Sequence, residues 1–76
     1  MPKIPLITGD QLIKTLSKHG FTLNRVKGSH HILVNSKTQI TISIPVHKGR
    51  ELGRGITLAI IKDAQIPLEE FLKSLK

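Results

Sequence analysis

The fold is decided by residues 21–44, which read FTLNRVKGSHHILVNSKTQITISI. Residue types that favour β-strands fill this stretch, and two turn signals interrupt them, first at Gly28 and then at the polar cluster 35–38. Because the connections are short, neighbouring strands should run antiparallel. We therefore predict three strands, at residues 21–27, 30–35 and 39–44.

The third predicted strand has one clear apolar face. Ile40, Ile42 and Ile44 alternate with Thr41 and Ser43, so one side of this strand should be buried. The middle strand is partly apolar on both sides, as a central strand can be. One of its sides carries His30, Ile32 and Val34, and the other carries His31, Leu33 and Asn35.

A helix is predicted before the sheet. Residues 1–7 contain two prolines and should form an extended arm, because proline removes a donor and restrains the residue before it. Residues 9–19 should form the first helix. This helix should begin with a capping box at Thr8 and end with a left-handed Gly20.

Two helices are predicted after the sheet, which Pro45 should end. A basic loop at residues 46–52 leads to a helix whose apolar face includes Ile56 and Ile60, and Pro67 suits the first position of a short last helix. The order is α-β-β-β-α plus a terminal helix, an α+β fold with helices on one face of a three-stranded antiparallel sheet. The double-stranded-RNA-binding domain (dsRBD) has this order.

The composition excludes several classes of protein. Cysteine is absent, which rules out disulfide scaffolds, thiolate zinc sites and cysteine nucleophiles. Twelve Lys and Arg against five Asp and Glu give a net charge of +7, which favours a polyanionic partner. Trp and Tyr are absent, so contact with nucleic acid should go through phosphates rather than stacked bases. We expect one domain, residues 1–76, in the cytoplasm and without membrane contact.

Histidine is the main candidate for chemistry, since the chain has four. In Gly28-Ser29-His30-His31, glycine frees the turn, and serine and histidine can hydrogen-bond a phosphate or a 2′-hydroxyl. His30 and His31 should point to opposite faces, so one of the two should be structural. The alternative is that both are ordinary strand residues. His19, at a helix end, should only complement the helix dipole.

An RNA-cleaving site needs a base for the 2′-hydroxyl proton, an acid for the leaving oxygen and cations around the phosphate. Histidine can fill the first two roles, and a histidine at the start of the middle strand could pair with His47 across the basic loop. The candidate cations are Lys27, Lys48, Arg50 and Arg54, although a solvated basic face would explain each of them as well. The sequence contains no metal-binding motif.

Nearly the whole chain resembles the HicA (YcfA-like) toxins of bacterial and archaeal toxin-antitoxin pairs. The shared features are Gly20-Phe21 after the first helix, Arg25 followed by Lys27-Gly28-Ser29-His30-His31, the strand end Ile44-Pro45-Val46-His47, the loop 48–52, a helix at 55–64 and a closing segment at 66–72. Gly-Ser-His and Pro-x-His together make the resemblance specific. Ile56-Thr57-Leu58 departs from the more basic helix start often seen in the family, which could weaken phosphate contact there.

The resemblance implies a dsRBD-like fold, translation-independent cleavage of mRNA and neutralisation by a HicB-type antitoxin that covers the active site. It also implies that His30, directly after Gly-Ser, is catalytic and that His31 supports it. To this we add His47 as the second catalytic group, with neither a metal ion nor a small-molecule cofactor. The expected RNA-binding residues are Lys27, Ser29, Lys48, Arg50 and Arg54. Two other functions stay open, a non-catalytic double-stranded-RNA-binding module and an adaptor that docks an acidic protein.

Overall fold

The predicted order of elements is confirmed by the structure, a computed structural model that describes residues 4–75. The elements are α1 (Gly9–Ser17), β1 (Phe21–Lys27), β2 (His30–Asn35), β3 (Ile40–Pro45), α2 (Arg54–Asp63) and α3 (Leu68–Ser74). The strands form one antiparallel sheet in the order β1-β2-β3. The chain therefore has an α+β fold. Within residues 4–75, no helix is both long and apolar enough to cross a membrane.

The helices pack on one face of the sheet, which we call the packed face. Its residues are Phe21, Leu23, Val26, His31, Leu33, Asn35, Ile40, Ile42 and Ile44. On the open face lie Thr22, Arg25, Lys27, His30, Ile32, Val34, Thr41, Ser43 and Pro45. The two faces differ as the alternation in β3 predicts, because Ile42 and Ile44 are buried while Thr41 and Ser43 are exposed.

One cluster of buried apolar side chains joins the packed face to the helices. Its members are Ile4, Ile7, Leu12, Leu16, Phe21, Leu33, Ile42, Ile44, Leu52, Ile60, Ile61, Ala64 and Phe71. Burial of these groups supplies the main driving force for folding. Both phenylalanines of the chain belong to it, at 1% and 0% exposure.

The N-terminal arm belongs to this core. Residues 4–7 are not helical, as predicted, and Ile4 and Ile7 are buried. The Leu52 N–H donates to the Ile7 carbonyl oxygen at 2.7 Å, and Thr8 pairs with Glu51 across an isolated bridge. Residues 1–3 of the predicted arm lie outside the described part.

The first helix begins as predicted but ends two residues early. Thr8 and Gln11 form both hydrogen bonds of the capping box. After Ser17, the N–H groups of residues 18–20 bond to carbonyls three residues before them, which tightens the last turn. Gly20 follows with φ +93°, a conformation that suits glycine.

Other element ends also differ from the predictions. Gln39 has φ 63° and lies in the turn, so β3 begins at Ile40 rather than at residue 39. Pro45 is the last residue of β3 rather than the residue that follows the strand. An edge strand tolerates proline here because the missing N–H faces away from β2. Pro67 is the N-cap of α3 rather than its first residue, and its carbonyl accepts from the Phe71 N–H at 3.0 Å.

The prediction that His19 acts only on the helix dipole is wrong. Its Nε2 lies 2.8 Å from the Ser74 Oγ, and that hydroxyl donates to the Phe71 carbonyl. Since a hydroxyl has one proton to donate, His19 Nε2 is the donor to Ser74. His19 therefore fastens α3 to the end of α1.

Asn35 is a buried anchor at the end of β2, although its sequence context resembles an ordinary turn. It is only 7% exposed. Its Oδ1 accepts hydrogen bonds from the N–H groups of Lys37 and Thr38, at 2.9 and 3.3 Å, and its Nδ2 donates to the His19 carbonyl at 3.2 Å. One side chain thus holds the β2–β3 turn and the end of α1 together.

Replacement of this anchor should cost stability. We expect Asn35→Ala to lower the free energy of unfolding by about 1–3 kcal/mol, because three part-buried hydrogen bonds to the backbone are lost. Urea denaturation followed by circular dichroism measures the change. Ser36→Ala, at the exposed neighbouring position, is the control and should stay within about 0.5 kcal/mol of wild type. Equal stability of the two variants would show that Asn35 is no anchor.

Candidate active site

Two segments distant in sequence meet at one end of the sheet. The β1–β2 turn places Lys27 opposite His30, and His30 in turn pairs with Pro45 of β3. The ladder continues beyond β3, where the Val46 N–H donates to the Ser29 carbonyl oxygen at 2.7 Å. The Gly-Ser-His turn therefore lies beside the start of the basic loop.

His30 and His31 point to opposite faces, as the alternation predicts. His30 is exposed on the open face. His31 is half-buried on the packed face, where it pairs with Ile44, and its Nδ1 is buried without a hydrogen-bond partner among residues 4–75. Only His30 is thus free to meet a substrate on the open face.

A β-bulge in β1 sets which face carries the cations of that strand. Leu23 pairs with Leu33, but Arg25 pairs with Ile32, so Asn24 is an extra residue. Beyond the bulge Arg25 and Lys27 lie on the open face with His30, and Val26 lies on the packed side. In an unbroken strand Arg25 and Lys27 would share the face of Leu23, so alternation read from the sequence alone misplaces both cations.

His47 lies in the loop that continues from β3. His47 directly follows Val46, whose N–H bonds to Ser29, so it lies beside the turn that carries His30. The His47 carbonyl accepts from the Arg50 N–H at 2.9 Å, which closes a tight turn with Gly49 at φ +78°. The structure thus brings the predicted pair, His30 and His47, to the same end of the sheet, with both side chains exposed.

The predicted cations fall into two groups. Lys27, Lys48 and Arg50 are exposed, and their side chains make no hydrogen bond within the described residues. Arg54 differs, because its Nε donates to the Ile4 carbonyl oxygen at 2.8 Å and so ties α2 to the N-terminal arm. Ser29 is half-buried beside His30. In the part of the chain that is described, no three His, Asp or Glu side chains are grouped so that they could hold a metal ion.

The loop with His47 rests on the first residue of α1. A Cβ at Gly9 would lie 2.8 Å from the Pro45 carbonyl oxygen and 2.9 Å from the Val46 Cγ2. Glycine is needed here because the backbone approaches closely, and any side chain would push the loop outward. The close contact with Gly9 therefore sets the position of Pro45 and Val46, and with them the start of the loop that carries His47.

The chain matches a known protein family. A family described as the HicA toxin of bacterial toxin-antitoxin matches residues 9–66 of the 76-residue chain. The matched segment runs from the start of α1 to Ile66, two residues before α3 begins, and includes both histidines of the candidate site. No curated protein matches the chain.

Two glycine substitutions should have opposite effects on stability. Gly9→Ala should lower the free energy of unfolding by about 1–3 kcal/mol, because its methyl group collides with the backbone at Pro45. Gly55→Ala, in α2 with no atom within 4 Å of its Cβ, should raise it by about 0.5–1 kcal/mol. Thermal and urea denaturation of both variants measure the changes. A stabilising Gly9→Ala would contradict the close approach of α1 and this loop.

Proposed function

The chain belongs to the HicA toxin family of toxin-antitoxin systems, and on this premise we propose that it is an endoribonuclease that cleaves mRNA without a metal ion, using His30. One observation carries the proposal. His30 is exposed on the face that no helix of residues 4–75 covers, with Lys27 directly opposite and the His47 loop at the same end of the sheet. In this proposal the two histidines are the acid and the base, and Lys27 is the cation beside them.

The chemistry that these residues support is transfer of a phosphate to a neighbouring hydroxyl. The RNA 2′-oxygen bonds to the adjacent phosphorus while the bond from phosphorus to the 5′-oxygen breaks. One histidine takes the 2′-hydroxyl proton and the other protonates the leaving 5′-oxygen, so the charges balance. We assign these two roles to His30 and His47.

The cations stabilise the negative charge that grows on the phosphate. Lys27 lies directly opposite His30, and directly opposed residues of antiparallel strands have Cβ atoms about 5 Å apart. Ser29 can offer its hydroxyl from the turn, and Lys48 and Arg50 add positive charge from the loop. Arg54 keeps only its terminal nitrogens for phosphate, since its Nε bonds to Ile4.

RNA is held through its backbone in this proposal. Both phenylalanines are buried and the chain has no Trp or Tyr, so no Phe, Tyr or Trp side chain is available to stack on bases. A net charge of +7 supplies attraction to phosphates instead. Binding should therefore weaken steeply with salt and depend little on base identity.

A HicB-type antitoxin is the proposed protein partner. Membership of a toxin family requires that the toxin be neutralised, and the simplest means is to cover the open face around His30. The excess of basic residues favours an acidic surface on that partner. We place the reaction in the cytoplasm, where mRNA is found.

Cleavage by wild type and not by His30→Ala is the expected result of the first test. Both proteins are incubated with a long single-stranded RNA in excess chelator, and the products are separated on a denaturing gel. His19→Ala is the control, since it removes a histidine at the opposite end of the sheet and should keep the activity. Cleavage by a folded His30→Ala protein would disprove the assigned role. Salt-sensitive binding of duplex RNA without any cleavage would instead favour a non-catalytic binding module.

His47→Ala tests the second catalytic role. Loss of one partner in acid-base catalysis should lower kcat by about 10²- to 10⁴-fold and change KM much less. Single-turnover kinetics on a short labelled RNA measure the chemical step. Lys62→Ala, exposed on α2, is a control for loss of an unrelated side chain. An unchanged kcat in His47→Ala would show that His47 is not the second catalytic group.

A further inference from the structure

We propose that a single RNA strand lies along β1 on the open face, and that Arg25 positions it by binding the phosphate next to the one that is cleaved. This inference rests on the proposed function and adds a substrate-positioning residue and a substrate form to it. The residues that carry it are Arg25, Lys27 and His30, which the bulge at Asn24 brings to one face.

The spacing of these side chains fits a nucleic-acid backbone. Arg25 and Lys27 are two residues apart on the same strand and face, which places their Cα atoms about 7 Å apart. That distance is close to the separation of neighbouring phosphates along one strand. With the cleaved phosphate between Lys27 and His30, the next phosphate along β1 comes within reach of the Arg25 guanidinium, whose fork of N–H groups suits phosphate oxygens.

Arg25 and Lys27, the Lys and Arg residues that the strands place on the open face, both belong to β1. Beside Arg25 on the open face, β2 and β3 contribute Ile32 and Ser43, and both are uncharged. A duplex would present two rows of phosphates to a face with a single row of cations. The pattern therefore fits one RNA strand that follows β1.

Arg25 is also available for such a contact. It is exposed, and its side chain makes no hydrogen bond or ion pair within residues 4–75. The extra residue at the bulge is what permits this, because regular alternation from Leu23 would aim Arg25 toward the helices. Bulges often lie next to active sites, where they redirect a side chain.

The test compares Arg25→Gln and Arg25→Lys with the control Lys37→Gln. Lys37 is an exposed cation in the β2–β3 turn, at the opposite end of the sheet, so its loss changes net charge equally without touching the proposed track. Binding of a 2′-O-methyl oligonucleotide, which cannot be cleaved, is followed by fluorescence anisotropy over a series of salt concentrations. Kinetics on the matching RNA give kcat and KM.

We expect Arg25→Gln to weaken binding about three- to tenfold at low salt and to reduce the slope of log K against log salt by about 0.7, the value for one lost contact to a single strand. KM should rise more than kcat falls. Arg25→Lys restores the charge but not the fork of N–H groups, so it should recover only part of the affinity. Circular dichroism and urea denaturation check that the variants are folded.

Three results would overturn the proposal. The first is an Arg25→Gln protein that matches Lys37→Gln in affinity and salt slope. The second is binding of a duplex as tight as that of the single strand. The third is a fall in kcat with KM unchanged in Arg25→Gln. Because the oligonucleotide cannot be cleaved, the binding result stands even if wild type proves inactive, so failure of the proposed function is distinguished from failure of this inference.

Discussion

The register of β2 against its two neighbours is the constraint on which the rest of the structure depends. A slip by one residue would send Leu33 to the open face and turn His30 toward the helices. The slip has two energetic costs, because it exposes a fully buried apolar side chain and buries a polar one. Hydrophobic burial on one face thus fixes the position of the candidate catalytic group on the other.

Both ends of the sheet are held by hydrogen bonds that reach beyond the strands. At one end, Asn35 joins the β2–β3 turn to the end of α1. At the other, the bond between Val46 and Ser29 joins the histidine turn to the basic loop, and the missing side chain of Gly9 lets α1 approach that loop. The end of the sheet that carries the candidate site is therefore built on a strand ladder and a helix start, and rigid elements of this kind hold side chains in place.

The division of the sheet into two faces has a consequence for regulation. Within residues 4–75 the helices all pack on one side, so no element of the described chain covers His30. A toxin whose candidate site is uncovered needs another molecule for its inhibition, which agrees with the toxin-antitoxin family to which the chain belongs. The same openness suits a flexible single strand, the substrate form that we propose.

The sequence by itself determined the order of elements, the capping box, the split of His30 and His31 between faces, and the excess of positive charge. Each of these depends on residue types and on spacing between near neighbours, which local periodicity reports. Only the tertiary structure decided the roles of Asn35 and Arg54 and the faces of the β1 cations. Asn35 and Arg54 bond to groups distant in sequence, and the bulge reverses the alternation of β1 where the sequence carries no sign of it. Packing between distant segments settles such features, and no local pattern records that packing.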